Sequence, residues 1–545
     1  MTGFTLTTAQ FDGLGAGYGT PDALAVLRAV QLTKRKQLLQ RIMAMPASAA
    51  AIDLLIRAEQ RDPAAVEQVL RHPHLDAGLG QALKSGGDLG YLAQVAAAAA
   101  VRAGVTFTIE VPVVGGSVHL PTLGAATVTG DRVEVTGAAD GTTRIGPVRL
   151  GGPGWAATRR VELEPGYSIV VEDQELYRDT YQWRPQPRLD EPAADRFAEL
   201  LRAAWAILVR RHPEHAAAMR VLLTMVVPLA TPPSGDLVSA ASRRASGSVA
   251  VVIPPEAENL CLLLLHEFMH MKLDALRDLT PLHVKSPVGR HYAPWRMDPR
   301  PVPALLQGVY AHTGVTDYWR QRRRDAGAPA IADVEFSYWH RQSGLAADEL
   351  AGSDELTAQG TRFVGLLRDT LAAWPDPELP GRTVALVAAM VRAQTIRWRS
   401  RNWSPADAEV DAVLAAWRSG RALGPVASAG RLRGAARNEP LHLPGIVGVL
   451  RDVLTGGQAE DPADHAYLSG DLELAAELYA KRLNDTDDAW VGFALAVSDA
   501  APRRPVLRDR PDLARAVLHR SAREDGADPA TVAGWMQGQP VGRSA

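Results

Sequence analysis

Residues 256–279 read EAENLCLLLLHEFMHMKLDALRDL, and this segment sets the architecture around it. Leu260, Cys261 and Leu262 to Leu265 make it apolar around most of a helical circumference, which predicts a buried helix. Within it stand His266-Glu267-Phe268-Met269-His270. Residues at i and i+4 lie one above the other on a helix, so both imidazoles reach a single metal ion. Glu267 is rotated about a sixth to a third of a turn from either histidine, close to the pair without having to be a ligand. Two histidines and a glutamate on a buried helix need partners, and a metal supplies them. The competing reading is two core histidines bonded to backbone carbonyls, with Glu267 paired to an arginine.

Two ligands do not complete a site. Asp274 continues the same face at i+8 but lies about 12 Å along the axis from His266, too far to share one ion. It reads as a hydrogen-bond acceptor behind the ligands or a solvated charge at the helix end. A third ligand must come from another segment, and His312 is the first choice. It shares a helical stripe with Leu305, Val309, Thr316 and Trp319, a face that turns toward a core. His283 and His291, in the irregular stretch 280–301, are the fallbacks, and a satisfied core histidine is the competing account of His312. No GxxH follows the motif at the short spacing of one large zinc-protease class, and the well-placed downstream glutamate of another class is missing.

Outward from that helix, the chain reads as α+β, a mostly helical body with a small antiparallel β module. The expected regions are 1–104, helical; 105–185, the β module; 186–330, the metal-site core; 331–435, helical; and 436–545, helical hairpins of tetratricopeptide type. Thr20-Pro21 starts one helix and Gly104 ends another. Gly13, Gly15, Gly17 and Gly19 follow no strand and read as a loop, not a dinucleotide site. Between 105 and 173 short β-branched runs alternate with Gly, Asp and Pro, the pattern of hairpins. SGSVAVVIP (246–254) reads as a strand after the loop SAASRRAS, and in many HExxH folds an exposed strand beside the site pairs with an extended peptide.

The 545 residues exceed what one core supports. Lys+Arg 59 against Asp+Glu 61 gives a net charge of -2, which argues against a protein that coats nucleic acid. The single cysteine, Cys261, excludes an internal disulfide framework and a multi-thiolate zinc cluster. No basic, apolar secretory start and no run of about 20 apolar residues is visible. The expectation is a soluble, cytoplasmic protein without nucleic-acid or membrane partners.

The stretch HEFMHMKLDALRDLTPLH, followed by APWRMDPRPVPALLQGVYAHTGVTDYWR, resembles the HExxH-motif domain of ribosomal-peptide maturation clusters. That domain occurs alone or fused behind a radical-SAM maturase of the FxSxx-COOH type. AQTIRWRSRNWSPADAEVDAVLAAW, TTAQFDGLGAG and LTKRKQLLQRI extend the likeness to about residue 420. No CxxxCxxC cluster is present, so the resemblance is to the stand-alone form. It implies a 2-oxoglutarate-dependent, non-haem iron(II) β-hydroxylase acting with O2 on a ribosomally synthesised precursor peptide. His266, His270 and His312 would hold the iron, and Glu267 would stand behind the ligands. A neutral third ligand departs from the usual two-His-one-carboxylate set. The distal carboxylate of 2-oxoglutarate calls for an arginine, and Arg296 and Arg300 are the candidates, with surface ion pairing as the alternative. The run Arg320, Arg322, Arg323, Arg324 reads as a solvated helix end where an acidic leader peptide finds charge. The rivals are a zinc metallopeptidase, with Glu267 as general base, and a catalytically silent peptide scaffold.

Overall fold

The protein is mostly helical, 57% of it, with several small sheets, an α+β class structure. The computed structural model describes residues 3–85, 89–284, 288–426, 430–433, 445–483, 485–501 and 505–538. The first part of the stretch 436–545, up to 444, lies outside the described residues. The chain divides into two compact units, Met1–Leu282 and His283–Ala545. The division falls inside the expected 186–330 core. His266 and His270 therefore belong to the first unit, and Arg296, Arg300 and His312 to the second.

The first unit opens with α1 (Thr8–Gly15), α2 (Pro21–Met43), α3 (Ala49–Arg61), α4 (Pro63–Leu70), α5 (Leu75–Ser85) and α6 (Gly90–Ala103). Thr20 caps α2 by accepting the Ala23 amide, with Pro21 in the first turn. Gly104, at φ 64°, ends α6 in the left-handed conformation. The loop reading of the early glycines needs correction. A capping box between Thr7 and Gln10 starts α1, which runs through Gly13 and Gly15. The alanine run of α6, Ala96 to Ala100, is fully buried, its small side chains admitting close neighbours in one core with α3, α4 and the first strands.

The strands after α6 are β1 (Phe107–Pro112), β2 (Ser117–Leu120), β3 (Gly124–Thr127), β4 (Arg132–Gly137), β5 (Thr143–Ile145), β6 (Val148–Arg149), β7 (Trp155–Ala157), β8 (Arg159–Glu164) and β9 (Tyr167–Val171). They do not form the single antiparallel sheet expected. One sheet runs β1-β4-β5-β6 and another β2-β3-β7. The break follows Gly115 and Gly116, at φ 59° and 75°, which turn the chain out of the first sheet. The hairpin β8–β9 leaves both and joins a five-stranded sheet with β10 (Met225–Leu229), β11 (Ser239–Ala241) and β12 (Ser248–Val252). Its order is β11-β12-β10-β9-β8, and β10 lies parallel to both β9 and β12.

Between β9 and β10 the chain forms α7 (Glu191–Arg211) and α8 (Pro213–Leu222), the long crossover that a parallel pair demands. Every residue of β10 and β12 is buried, as their unbroken apolar runs require of strands covered on both faces. Pro228 is tolerated in β10 because the segment beside it, 184–186, bonds the Pro228 carbonyl and the Ala230 amide and needs no amide at 228. β12 is therefore interior, not the exposed strand expected. The edge beside the motif helix is β11, made from the first residues of the stretch that reads as a loop.

The motif helix, α9 (Ala257–Leu279), packs against β11, β12, α2 and α7. Arg211 of α7 grips Glu258 near its start with two hydrogen bonds, 2.6 and 2.8 Å. Lys272 is wholly buried, and its ammonium donates to the carbonyls of Gly17 (2.5 Å) and Tyr18 (2.7 Å). The glycine segment thus closes over α9 through a lysine that burial would otherwise penalise.

The second unit comprises α10 (Val302–Arg322), α11 (Ile331–Ala351), α12 (Ala358–Ala372), α13 (Gly381–Asn402), α14 (Asp407–Arg418), α15 (Gly445–Leu454), α16 (Pro462–Ser469), α17 (Leu472–Ala480), α18 (Asp487–Ala500), α19 (Val506–Asp509), α20 (Pro511–Asp525) and α21 (Pro529–Met536). Two-residue strands β13 (Trp403–Ser404) and β14 (Arg431–Leu432) pair antiparallel. α17 and α18 pack together, with the Tyr479 ring against Gly492, where a Cβ would come within 2.3 Å of it. Among the described residues no single helix is long and apolar enough to cross a membrane.

Replacing Lys272 by Met keeps the volume but removes the ammonium's bonds to the Gly17 and Tyr18 carbonyls. The expected loss is about 1–3 kcal/mol, read as a lower urea midpoint at unchanged m-value.

Candidate metal centre

His266 and His270 stand where the helical spacing puts them, with their Nε2 atoms 3.2 Å apart and the rings edge to face. Bonds of 2.0–2.1 Å to one ion set neighbouring nitrogens about 2.9 Å apart in octahedral and about 3.4 Å apart in tetrahedral geometry. The pair fits either. The His266 side chain is 23% exposed, so solvent reaches this face of α9.

Glu267 points to β11. Its Oε1 accepts the Ser239 hydroxyl at 2.6 Å, and its carboxylate also accepts the Ala241 amide. Oε1 lies 3.9 Å from His266 Nε2. Burial pushes the Glu267 carboxyl up, against the opposing pull of the His270 charge and of those two donors. Neither donor was legible in the sequence, because Ser239 and Ala241 sit in a Ser/Arg-rich stretch too short to show a strand period.

Asp274 is not a solvated charge. It lies 3.4 Å from Arg277 and 3.9 Å from Arg243, and burial raises its carboxyl pKa. Among the described residues, no group of three or more His, Cys, Asp or Glu is arranged to hold a metal ion. The first unit contributes a pair.

In the second unit, His312 is buried on α10 between two indoles. It stacks on Trp295 with centroids 4.2 Å apart and planes 12° off parallel, and it faces Trp339 at 4.7 Å. Its Nδ1 lies 2.9 Å from the Gly308 carbonyl, which selects the tautomer protonated at Nδ1 and makes Nε2 the basic nitrogen. Gly308 is required there, since a Cβ would come within 2.2 Å of the Trp295 ring.

The fallback histidines are engaged: His291 Nδ1 lies 2.8 Å from Glu349, and His283 Nδ1 lies 2.8 Å from the Val284 carbonyl. Arg296 and Arg300 share buried Asp298, each at 3.0 Å. The arginine run is also paired rather than merely solvated. Arg320 bonds Asp317, Arg322 bonds Asp325 and Arg323 bonds Asp333, while Arg324 reaches Gln321.

A second polar group in the first unit gave no local signal. His72 and His74 follow α4, His119 lies on β2, and Glu172 and Glu175 follow β9; all five are buried. His72 Nε2 stands 3.5 Å from Glu172 Oε2 and 3.9 Å from Glu175 Oε2, and His119 Nδ1 stands 2.9 Å from the latter. The Gln174 and Glu175 amides donate to Glu172 Oε1. The Tyr181 hydroxyl donates to Ser248 and meets His74 Nε2 at 2.9 Å. Burial alone would raise both carboxyls, but the imidazoles facing them hold both below the usual range. Burial likewise opposes the charge on His119, and Glu175 outweighs it and raises that pKa. Burial lowers His74 to about 3.

The two lowered carboxyls add stability above about pH 4.5, lost as pH falls through their folded values. Raised His119 adds stability below about pH 6.5, lost as pH rises through its folded value. Urea unfolding should therefore show stability falling on the alkaline side. His119→Ala removes the nearest cation from Glu175 and leaves it His72 and the Tyr177 amide; it is expected to cost about 1–3 kcal/mol near neutrality and should flatten that alkaline fall. Compared with known protein families and with curated proteins, the chain matches none.

Proposed function

We propose that the protein is an iron(II)- and 2-oxoglutarate-dependent dioxygenase that hydroxylates a β-carbon in a ribosomally made precursor peptide. The carrying observation is the pair of Nε2 atoms 3.2 Å apart beside a Glu267 that is turned to β11. His266 and His270 would ligate the ion, and His312 is the third ligand expected from the sequence. When bound, such a centre supplies insertion of one O2 oxygen into a Cβ–H bond, the other oxygen leaving in succinate as 2-oxoglutarate loses CO2.

The chain's own part is positional. The helical spacing aims both imidazoles at one point, and the partial exposure of His266 admits co-substrates. Ser239 and Ala241 hold Glu267 as a strut between α9 and β11. In a zinc peptidase the same carboxylate must take a proton from water. Arg296 and Arg300 remain the proposed cations for the co-substrate, at the expense of their pairing with Asp298.

Anaerobic addition of iron(II) and 2-oxoglutarate should give a visible charge-transfer band at one iron per chain, absent in His266→Ala and in His270→Ala. Glu267→Gln should keep the band while weakening iron affinity about 10–100-fold. His312→Ala tests the third ligand by the same readout. Peptide cleavage without O2 and 2-oxoglutarate, abolished by Glu267→Gln, would establish the peptidase instead.

A further inference from the structure

The second unit contains a cavity of about 640 Å³, in the size range of ligand pockets, among its C-terminal helices. One wall is α20, which presents Arg515, His519 and Arg523 to it at i, i+4 and i+8. These three form a single stripe about 12 Å long. Arg433, just past β14, adds a further cation, and Ala480, Leu483 and Trp490 supply an apolar side. Trp490 is fixed there, its indole N–H donating to Ser400 at 2.7 Å.

The arginines of this wall are each held by one partner and keep further donors. Asp512, its lining acid, is held by Arg399 at 2.8 Å and Arg510 at 3.1 Å. Arg515 commits one nitrogen to Asp487 at 2.8 Å, and Arg523 one to Glu524 at 3.1 Å. Arg433 gives its Nε–H to Ser404 at 2.7 Å. A guanidinium carries five donors, so each keeps most of them for a ligand.

The spacing selects the ligand. Every second side chain of an extended strand projects to one side, about 6.6–6.8 Å apart. One i to i+4 step on a helix is about 6 Å. We propose that this cavity binds an extended peptide whose alternate residues are acidic. The acidic side chains meet Arg515, His519 and Arg523 in turn, and the intervening ones face Leu483, Ala480 and Trp490. The identity of the occupant as the substrate's own leader rests on the hydroxylase reading, while the binding itself does not.

The test uses the full chain and a short fluorescein-labelled peptide alternating Glu and Val, followed by anisotropy. Binding should weaken steeply with salt, and a Gln–Val peptide should bind about tenfold or more weakly. The double variant His519→Glu, Arg523→Glu, at exposed positions, should lose the Glu–Val peptide about tenfold or more at an unchanged melting temperature. Arg515→Gln should lose it in part. Equal binding of the two peptides, no binding of Glu–Val, an unaffected double variant, or tighter capture of a labelled oligothymidylate would overturn the proposal. Peptide binding that persists in a His266→Ala chain, with the iron band persisting in the double variant, separates this inference from the hydroxylase reading.

Discussion

An apolar helix that carries ionisable side chains into a core must find each of them a partner. α9 meets that constraint from several sides. Ser239 and Ala241 bond Glu267, the Gly17 and Tyr18 carbonyls take the Lys272 ammonium, and Arg211 takes Glu258. An unpaired buried polar group costs about 1–3 kcal/mol, and a buried charge more, so these partners fix where neighbouring segments lie. These bonds add to the backbone pairing that already orders the Gly17–Tyr18 turn and the three-residue edge strand β11. His266 and His270 meet each other at hydrogen-bond distance, an arrangement that a neutral pair or a shared metal ion satisfies and that two protonated imidazoles would resist.

What the sequence revealed follows from how locally each feature is encoded. Periodicity, a Thr-Pro start and a glycine stop placed α2, α9 and the end of α6 within a residue, because helices are specified by near neighbours. SVAVV was legible as a strand for the same reason, but its place in the sheet was not. Whether a strand is central depends on what pairs with it, and its outer partner is three residues of a Ser/Arg-rich stretch. Likewise the runs between 105 and 173 were recognisable as strands, while their division among three sheets depends on pairings such as Phe107 with Gly137.

The site shows the same boundary. The i, i+4 histidines are a local fact and stand as expected. The hydroxyl that holds Glu267 is 28 residues away, and the group of His72, His119, Glu172 and Glu175 spans about a hundred. No short window contains such a network, and a lone buried histidine in sequence looks like any other. Arg296 and Arg300 illustrate the opposite error. Both flank Asp298 two residues away, so local pairing competes with any distant anion for them.

That competition also separates the two arginine-rich surfaces of the second unit. Along 320–324 the acids Asp317, Asp325 and Asp333 are close in sequence and consume the run. On α20 Arg515 and Arg523 also have one acid each, Asp487 and Glu524, while Asp512 of the same wall is buried and already shared by Arg399 and Arg510. Like charges repeated along one helix face are unfavourable by a few tenths of a kcal/mol per pair. Along this stripe Asp487 and Glu524 offset part of that cost, and His519 and the spare guanidinium donors are what an anionic visitor would meet. The cavity beside α20 is the space such a visitor requires, and its mixed lining, cationic on one side and apolar on the other, suits a peptide better than a simple anion.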